Sequence, residues 1–429
     1  MIMQQTLFKQ QTRDERQEEA RVKWIKNKCK GCWVFPTGVG KTYAAIKAIK
    51  SIIDKYNNMR FLIIVPTDNL KVQWEQYIDN NGLSLNGEVV IVNTAIKNEY
   101  KTDILVIDES HRVNSSTFRN IFSTIQYKYV LGLTATYERL DNLHKEVMEK
   151  YCPVIDKISL EEALFNNWIS QFKEYQVLLE VDDIDTYKGF NKDFQEHFEF
   201  FGYDFNLALS LLGPKGFINR SKLRDERCPN GSEKEKKDMF KLITYHATAF
   251  MRAIQSRKAF INNHPKKIEI ARRIIEARPN SKILTFSNNI KMAEAIGMGG
   301  EVYTGKDSKK KARANLEEFN QKEVGLMHSV KKLVEGADVK GLNTAIMLGI
   351  DSSETRAIQS RGRVIRFQEG KVAEIFNLII ADTVETQWFA KSHQTSQYIT
   401  IDEEGLNDVL FGREPKPYNR PIKNFTFRY

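Results

Sequence analysis

Phe35-Pro36-Thr37-Gly38-Val39-Gly40-Lys41-Thr42 joins a short apolar run, residues 32–34, to a segment with apolar residues at helical spacing, residues 43–49. A strand, a glycine-bearing loop and a helix form the setting of a phosphate-binding loop, because glycines let backbone N–H groups turn toward an anion at the helix N-terminus. The residue types predict a phosphate site at Thr37, Gly38, Val39 and Gly40. Lys41 is expected to reach the β- and γ-phosphates, and the Thr42 hydroxyl to bind Mg²⁺.

Length and composition predict a globular protein of several domains. A chain of 429 residues is too long for one core, so two to four domains are expected. No apolar run approaches the roughly 20 residues of a membrane span, and residues 1–21 lack the apolar core of a signal peptide. We therefore expect no membrane association and a cytoplasmic location.

Charge and cysteine content suggest what the protein binds. The formal charge of +10 and the pI near 9.1 favour a polyanionic partner. Residues 156–204 hold four Lys or Arg against twelve Asp or Glu, whereas residues 205–265 hold twelve against five, so one surface is expected to face phosphates. Cys29-x-x-Cys32 permits a zinc interpretation, but no second pair follows, and a small buried thiol is favoured for Cys32.

Two adjacent carboxylates follow an apolar run in Asp103–His111. The four apolar residues 104–107 predict a buried parallel strand that delivers Asp108 and Glu109 to the edge of a sheet where ligands bind. Asp108 is expected to hold Mg²⁺, directly or through water, while Glu109 polarises the attacking water.

An arginine pair stands near the end of the chain, in Gln359-Ser360-Arg361-Gly362-Arg363-Val364-Ile365-Arg366. Arg363 and Arg366 are one helical turn apart and can point together at a γ-phosphate. Guanidinium groups from a second lobe would stabilise the charge of phosphoryl transfer.

These motifs, in this order, resemble superfamily 2 helicases and translocases with a DEAH-like box. The resemblance covers roughly residues 10–155 and 266–380. It implies an α/β fold of two tandem RecA-like domains, mostly parallel sheets with helices on both faces, with an intervening, largely helical segment. The alternating strand and helix signals agree with that class. ATP and Mg²⁺ would lie between the lobes and nucleic acid across their opposite rim.

The resemblance also assigns roles to single residues. Gln17 would recognise adenine, and His111 would link the nucleotide site to the other lobe. Thr134 and Thr136 of the Leu-Thr-Ala-Thr motif are expected to bond to carboxylates. Asp338 and Gln359 would complete the nucleotide site. The residues expected to contact nucleic acid are Pro66, Thr67, Thr94, Thr304 and Lys340.

Four parts are expected along the chain. Residues 1–155 would form the first RecA-like domain, and residues 156–265 a helical accessory region that is basic in its second half. Residues 266–395 would form the second RecA-like domain, and residues 396–429 a basic tail, extended or packed.

The motif set is most similar to DNA translocases related to XPB, RecG and the phage helicase UvsW. This implies an ATP-dependent enzyme that unwinds or migrates branched DNA in replication, recombination or repair. The brevity of the chain favours a phage or mobile-element origin. A monomer is expected, with replication or recombination proteins as possible partners. An RNA helicase, a duplex-translocating restriction motor and an idle nucleic-acid scaffold are the alternatives, although intact Lys41, Glu109 and Arg366 argue against the scaffold.

Overall fold

The structure is a computed structural model. It describes residues 8–56, 58–111, 120–137, 143–304, 307–330, 339–350, 362, 368, 370–393, 397–416 and 418–420.

The first lobe is built on a six-stranded parallel sheet of order β3-β2-β5-β7-β1-β8, with a small β4-β6 ladder beside it. Its strands are β1 (Lys30–Val34), β2 (Phe61–Val65), β3 (Gly87–Ile91), β4 (Tyr100–Lys101), β5 (Ile104–Asp108), β6 (Ile125–Gln126), β7 (Tyr129–Thr134) and β8 (Val154–Lys157). Its helices are α1 (Arg13–Lys26), α2 (Lys41–Lys55), α3 (Asp68–Asn80), α4 (Val92–Ala95), α5 (Ile121–Thr124), α6 (Leu143–Tyr151) and α7 (Leu160–Phe165).

The first sheet is buried on both faces, which explains the continuous apolar runs of its central strands. Every residue of β2 and β5 is buried. Because all pairings are parallel, the carboxyl ends of β1, β5 and β7 meet at one edge. The register pairs Asp108 with Leu133, and Val34 with Thr134. The phosphate loop, the acidic pair and the Leu-Thr-Ala-Thr motif therefore converge.

A helical arm, residues 184–263, follows. Its helices are α8 (Ile184–Phe200), α9 (Phe205–Ser210), α10 (Gly216–Arg227) and α11 (Glu233–Asn263). At 31 residues, α11 is about 46 Å long at 1.5 Å per residue. Phe194, Phe198, Phe201 and Phe250 fill the core of the arm, so the aromatic run of residues 191–212 largely serves packing.

The second lobe is built on a seven-stranded parallel sheet of order β11-β12-β10-β13-β14-β9-β15. Its strands are β9 (Gln171–Leu179), β10 (Lys282–Ser287), β11 (Glu301–Tyr303), β12 (Gly325–Val330), β13 (Thr344–Met347), β14 (Val372–Ile380) and β15 (Ile399–Ile401). Its helices are α12 (Pro265–Glu276), α13 (Ile290–Ile296), α14 (Lys309–Gln321), α15 (Val384–Ser392) and α16 (Glu403–Leu410). Two RecA-like sheets with a helical segment between them confirm the predicted fold class.

The second sheet departs from the predicted boundaries at two places. β9 belongs to the segment expected to be accessory, yet it pairs with β14 over nine residues. β15 belongs to the expected tail, yet it pairs with β9. Local pattern predicts that a run such as Gln176–Val181 forms a strand, but the choice of sheet depends on distant partners.

The described part of the tail is packed rather than extended. Leu406 and Val409 of α16 belong to the core of the second lobe. Lys416 pairs with Glu404 at 3.1 Å, and Arg420 pairs with Glu180. Acidic groups of the tail and of the segment after β9 thus neutralise several tail cations.

Candidate nucleotide site

The phosphate loop is shaped by two glycines in the left-handed region. Gly38 has φ 97° and Gly40 has φ 86°, values that residues with a Cβ rarely adopt. Gly40 precedes α2 as its N-cap. Since glycine has no side chain to cap the helix, the first-turn N–H groups of α2 are left for an anion.

Lys41 and Thr42 open α2 directly after the loop. The Lys41 ammonium donates to the Phe35 carbonyl at 2.9 Å, which bridges the two ends of the loop. Lys41 also lies near enough to Asp108 to lower the pKa of that carboxyl.

Asp108 is held by two donors at the end of β5. Trp74 Nε1 donates to Oδ2 and the Glu109 N–H donates to Oδ1, both at 2.9 Å. Burial and the neighbouring Glu109 charge raise the pKa of Asp108 to about 6, although Trp74 and Lys41 oppose the shift. A buried carboxylate with this balance favours a nearby cation. This bond was not predicted from the sequence, because Trp74 and Asp108 are 34 residues apart in the chain.

Glu109 has an unusual backbone and an unsatisfied oxygen. Its φ of 49° is in the left-handed region, a strained conformation that residues with a Cβ adopt chiefly at functional sites. Its Oε2 is buried and makes no hydrogen bond within the described part of the chain. His111 Nδ1 lies 3.4 Å from that oxygen. A carboxylate oxygen in this state is suited to accept a proton from a bound water.

A chain of hydrogen bonds connects the acidic box to the end of β7. His111 Nδ1 lies 3.0 Å from Thr134 Oγ1, and that hydroxyl donates to the Thr136 carbonyl at 2.5 Å. Since a hydroxyl has one proton, Thr134 accepts from the Nδ1–H of His111. Among the described residues, Thr134 therefore bonds a histidine and the backbone, which corrects the expectation of bonds to carboxylates.

Gln17 lies against the phosphate loop. Its Nε2 donates to the Val39 carbonyl at 3.0 Å, while its buried Oε1 has no partner among the described residues. A Cβ on Gly40 would stand 2.8 Å from Gln17 Nε2. The adjacent Arg16 fixes α1, because it bonds Asp156 at 2.5 and 3.0 Å and Glu162 at 2.8 Å. Arg16 was not predicted, since its acidic partners are about 140 residues away in the chain.

Gly362 brings the second lobe to the phosphate loop. A Cβ built on it would lie 2.2 Å from the Cβ of Thr37, so the two backbones approach closely at this point. The other residues expected from the second lobe, Asp338, Gln359, Arg363 and Arg366, lie outside the described residues.

The predicted nucleic-acid contacts do not all share one edge. Pro66 and Thr67 follow β2, Thr94 lies in α4 after β3, and Thr304 follows β11, all at carboxyl ends of strands. Lys340 instead precedes β13, at the amino edge of the second sheet, where its N–H donates to Asn320 Oδ1 at 3.0 Å. The structure does not bring Lys340 together with Thr304.

Cys32 behaves as a buried thiol. Its side chain is fully buried in β1, and its Sγ lies 3.5 Å from Ser110 Oγ. It packs beneath the acidic box.

The fold and this site define a nucleoside triphosphatase with two RecA-like domains. Two family models match consecutive parts of the chain. The model described as Type III restriction enzyme, res subunit, matches residues 5–99 and 92–139, and the model described as Helicase conserved C-terminal domain matches residues 266–368.

Individual relatives agree with these matches. The chain is 28% identical over 389 residues to the DNA 3'-5' translocase XPB2 of Sulfurisphaera tokodaii, covering 86% of this chain and 82% of the relative. The Hef helicase domain of Pyrococcus furiosus has the same fold, with TM-score 0.52, 19% identity and coverage of 88% and 97% of the two chains. Dbp5 of S. cerevisiae bound to RNA and ADP BeF3 gives TM-score 0.58 at 10% identity, with coverage of 92% and 91%.

Both family models and the translocase relative support a superfamily 2 helicase or translocase for this chain. These families imply an ATP-hydrolysing enzyme that binds, and is stimulated by, nucleic acid. Among the described residues, no helix is long and apolar enough to cross a membrane.

Proposed function

We propose that ATP binds between the phosphate loop and the second lobe, and that hydrolysis drives translocation on branched DNA. The contact of Gly362 with Thr37 carries the proposal for the ATP site. Arg363 follows Gly362 directly in the sequence, so the position of Gly362 supports a role for the arginine pair at the phosphate loop. The lobe-to-lobe geometry required by an arginine finger is thereby supported.

The residues near the loop fit a Mg²⁺ ion. Mg²⁺ prefers oxygen ligands and keeps several waters. Thr42 supplies a hydroxyl and Asp108 a buried carboxylate whose pKa is raised by burial. When bound, the ion would neutralise charge on the β- and γ-phosphates. Within this arrangement Lys41 binds phosphate oxygens, Glu109 orients a water and accepts its proton, and Arg363 and Arg366 stabilise the developing charge.

We assign adenine recognition to Gln17. Its Nε2 is committed to the Val39 carbonyl, so its unpartnered Oε1 can accept from an exocyclic amino group. Guanine presents a carbonyl at the equivalent position. The arrangement therefore predicts a preference for ATP over GTP.

Gln17→Leu is expected to raise the KM for ATP by roughly tenfold, the value of one buried hydrogen bond, and to reduce the preference for ATP over GTP. Steady-state hydrolysis of both nucleotides measures this. Gln10→Leu is the matched control, because Gln10 is exposed. An unchanged ATP to GTP ratio would rule out the assignment.

The helical arm is the proposed site of branched-DNA recognition. Along α11, a groove of about 440 Å³ is lined by apolar, hydroxyl and cationic groups. Its residues are Phe240, Lys241, Thr244, Tyr245, Thr248, Ala249 and Arg252. Tyr245 is 61% exposed, and Phe217 at the start of α10 is 66% exposed. Cations next to exposed rings suit phosphates and stacked bases.

The arm's basic surface can be tested by charge reversal. Arg220 is unsuitable, because it donates to the Leu211 carbonyl at 2.5 Å and lies over the Phe240 ring. The exposed residues Lys222, Lys241 and Arg252 avoid that problem. The triple change to Glu is expected to weaken forked-DNA binding at least about tenfold and to lower the salt slope by up to about three.

Reversal of Lys26, Lys50 and Lys55 on the first lobe changes the net charge equally and serves as the control. If both triple variants lose the same affinity, the effect is net charge and the arm is not the binding surface.

The deciding experiment measures ATP hydrolysis with single-stranded DNA, duplex, a fork, a four-way junction and structured RNA, with Lys41→Ala as the inactive control. Stimulation by forks and junctions together with strand separation supports the proposal. Duplex stimulation without strand separation favours a restriction-type translocase, which the restriction-subunit match also permits. Stimulation by RNA alone would exclude the DNA assignment. That outcome would favour an RNA helicase, an alternative that the fold likeness to RNA-bound Dbp5 permits.

We further propose the following division of the chain. The first lobe ends after α7, the helical arm is an insertion, and β9, β15 and α16 belong to the second lobe. Action as a monomer in the cytoplasm, cooperation with replication or recombination proteins, and a phage origin remain predictions from the sequence.

A further inference from the structure

A buried ion pair lies where the helical arm meets the second lobe. Lys267 Nζ and Glu385 Oε1 are 2.6 Å apart, and both side chains are 0% exposed. Lys267 is in the first turn of α12, and Glu385 is in the first turn of α15. We call this pair the ionic joint.

Each member of the ionic joint also binds the backbone after β13. Lys267 Nζ donates to the Leu348 carbonyl at 2.9 Å. Glu385 accepts from the Ile380 N–H at 3.0 Å and from the backbone of Ile350. Leu348–Ile350 begin the connection from β13 to β14, which also contains Gly362 and the arginine pair. The ionic joint therefore anchors the start of the connection that contacts the phosphate loop.

The long helix of the arm, α11, ends beside the ionic joint. α11 and α12 share His264 as their boundary residue, so only three residues separate α11 from Lys267. Asn262 Oδ1 accepts from Asn288 Nδ2 at 2.8 Å. A Cβ on Gly349 would meet that same Asn288 side chain at 2.4 Å. The carboxyl end of α11, which we call the arm root, thus contacts the connection through one intermediate residue, Asn288.

The first helix of the arm reaches the other side of the joint. Tyr187 of α8 accepts from the Val384 N–H at 2.9 Å, immediately before Glu385. Arg257 of α11 donates to the same hydroxyl at 3.4 Å. α8 is therefore bonded to the residue that precedes Glu385, and α11 is connected to that residue through Tyr187.

The chemistry of the pair favours a positional role over a stabilising one. Removing both charges from water costs desolvation free energy, so a fully buried ion pair is weak evidence for a net gain in folding stability. Its strict geometry instead restricts how α12 and α15 can be placed relative to each other. Burial lowers the pKa of Lys267 and raises the pKa of Glu385.

We propose that Lys267 and Glu385 are positioning residues that couple the helical arm to the connection carrying the arginine pair. Nucleic acid held by the arm sets the orientation of the arm root, and the ionic joint transmits that orientation to Leu348–Ile350. The coupling rests on the proposed function, since it requires the arm to bind nucleic acid.

The test is the double variant Lys267→Met/Glu385→Gln in the full chain, which removes the charges together and leaves a carbonyl oxygen for the backbone donors. With saturating forked DNA, kcat is expected to fall about tenfold or more, because small displacements of catalytic groups lower reaction rates by such factors. The KM for ATP, the DNA affinity and the rate without DNA are expected to stay within about twofold, because the phosphate loop and the arm surface are unchanged.

A second ion pair provides the control. Arg278, after α12, bonds Glu374 of β14 at 2.6 and 3.0 Å, at the amino edge of the same sheet. Arg278→Met/Glu374→Gln also disconnects α12 from the β14 region, but at the amino edge of the sheet, opposite the carboxyl edge where Leu348–Ile350 lie. If it lowers the stimulated kcat as much as the first double variant, the effect is general and the coupling is overturned.

Tyr187→Phe is the second, uncharged variant, with exposed Tyr203→Phe as its control. Loss of the hydroxyl is expected to lower the stimulated kcat about threefold without changing the ATP KM. Full stimulation in both the ionic double variant and Tyr187→Phe overturns the coupling alone. Absence of stimulation in the wild-type chain would instead contradict the proposed function, and the coupling with it.

Discussion

Glu109→Gln is expected to lower kcat for ATP hydrolysis by about 10²- to 10⁴-fold, the usual contribution of a positioned general base. The buried Oε2 of Glu109 has no hydrogen-bond partner among the described residues, so a water bound near the γ-phosphate would be its natural partner. The backbone of Glu109 lies in the left-handed region at φ 49°, a strained conformation that clusters at functional sites. Glutamine keeps the size of the side chain and removes its basicity.

A nucleotide-binding measurement distinguishes loss of the general base from misfolding of the Glu109→Gln variant. The variant is expected to bind a fluorescent ATP analogue with affinity within about threefold of wild type, since Lys41 and the loop glycines are unchanged. Glu88→Gln, at an exposed position of β3, is the control and should retain full activity. If Glu109→Gln hydrolyses ATP at more than a third of the wild-type rate, Glu109 is not the base.

Gly362→Ala is expected to lower kcat/KM for ATP by about a hundredfold, because a displacement of the order of 1 Å between catalytic groups has that effect. The added methyl would lie 2.2 Å from the Cβ of Thr37, a distance that real Cβ atoms do not adopt. The second lobe must therefore shift away from the phosphate loop. The arginine segment that follows Gly362 would shift with it.

The matched control is Gly189→Ala, where an added Cβ meets nothing within 4 Å. A second-site change supplies the positive test. Thr37→Gly in the Gly362→Ala background removes the clashing atom and should recover part of the lost kcat/KM relative to the single variant. Activity of Gly362→Ala within about threefold of wild type would show that the contact is not part of the active arrangement.

The nucleotide site shows which residues can be predicted from local sequence pattern and which cannot. Lys41, Thr42, Asp108 and Glu109 occur in short motifs whose spacing encodes a strand followed by a loop, and parallel strands meet at one edge of a sheet. Their convergence could therefore be predicted from the sequence. The partner of Asp108 could not, because Trp74 faces it from α3, 34 residues away. Arg16 and Asp156 pair across 140 residues for the same kind of reason.

The class of fold, the order of the two lobes and the residues that can bind a nucleotide could be predicted from the sequence, because they follow from periodicity and residue type over short distances. The three-dimensional packing was needed to show that β9 and β15 join the second sheet, that Thr134 bonds His111, that Lys340 stands at the edge away from Thr304, and that Lys267 pairs with Glu385. Each of these depends on which distant backbone an element packs against. Hydrogen bonds and ion pairs of that kind form between groups that local sequence does not relate.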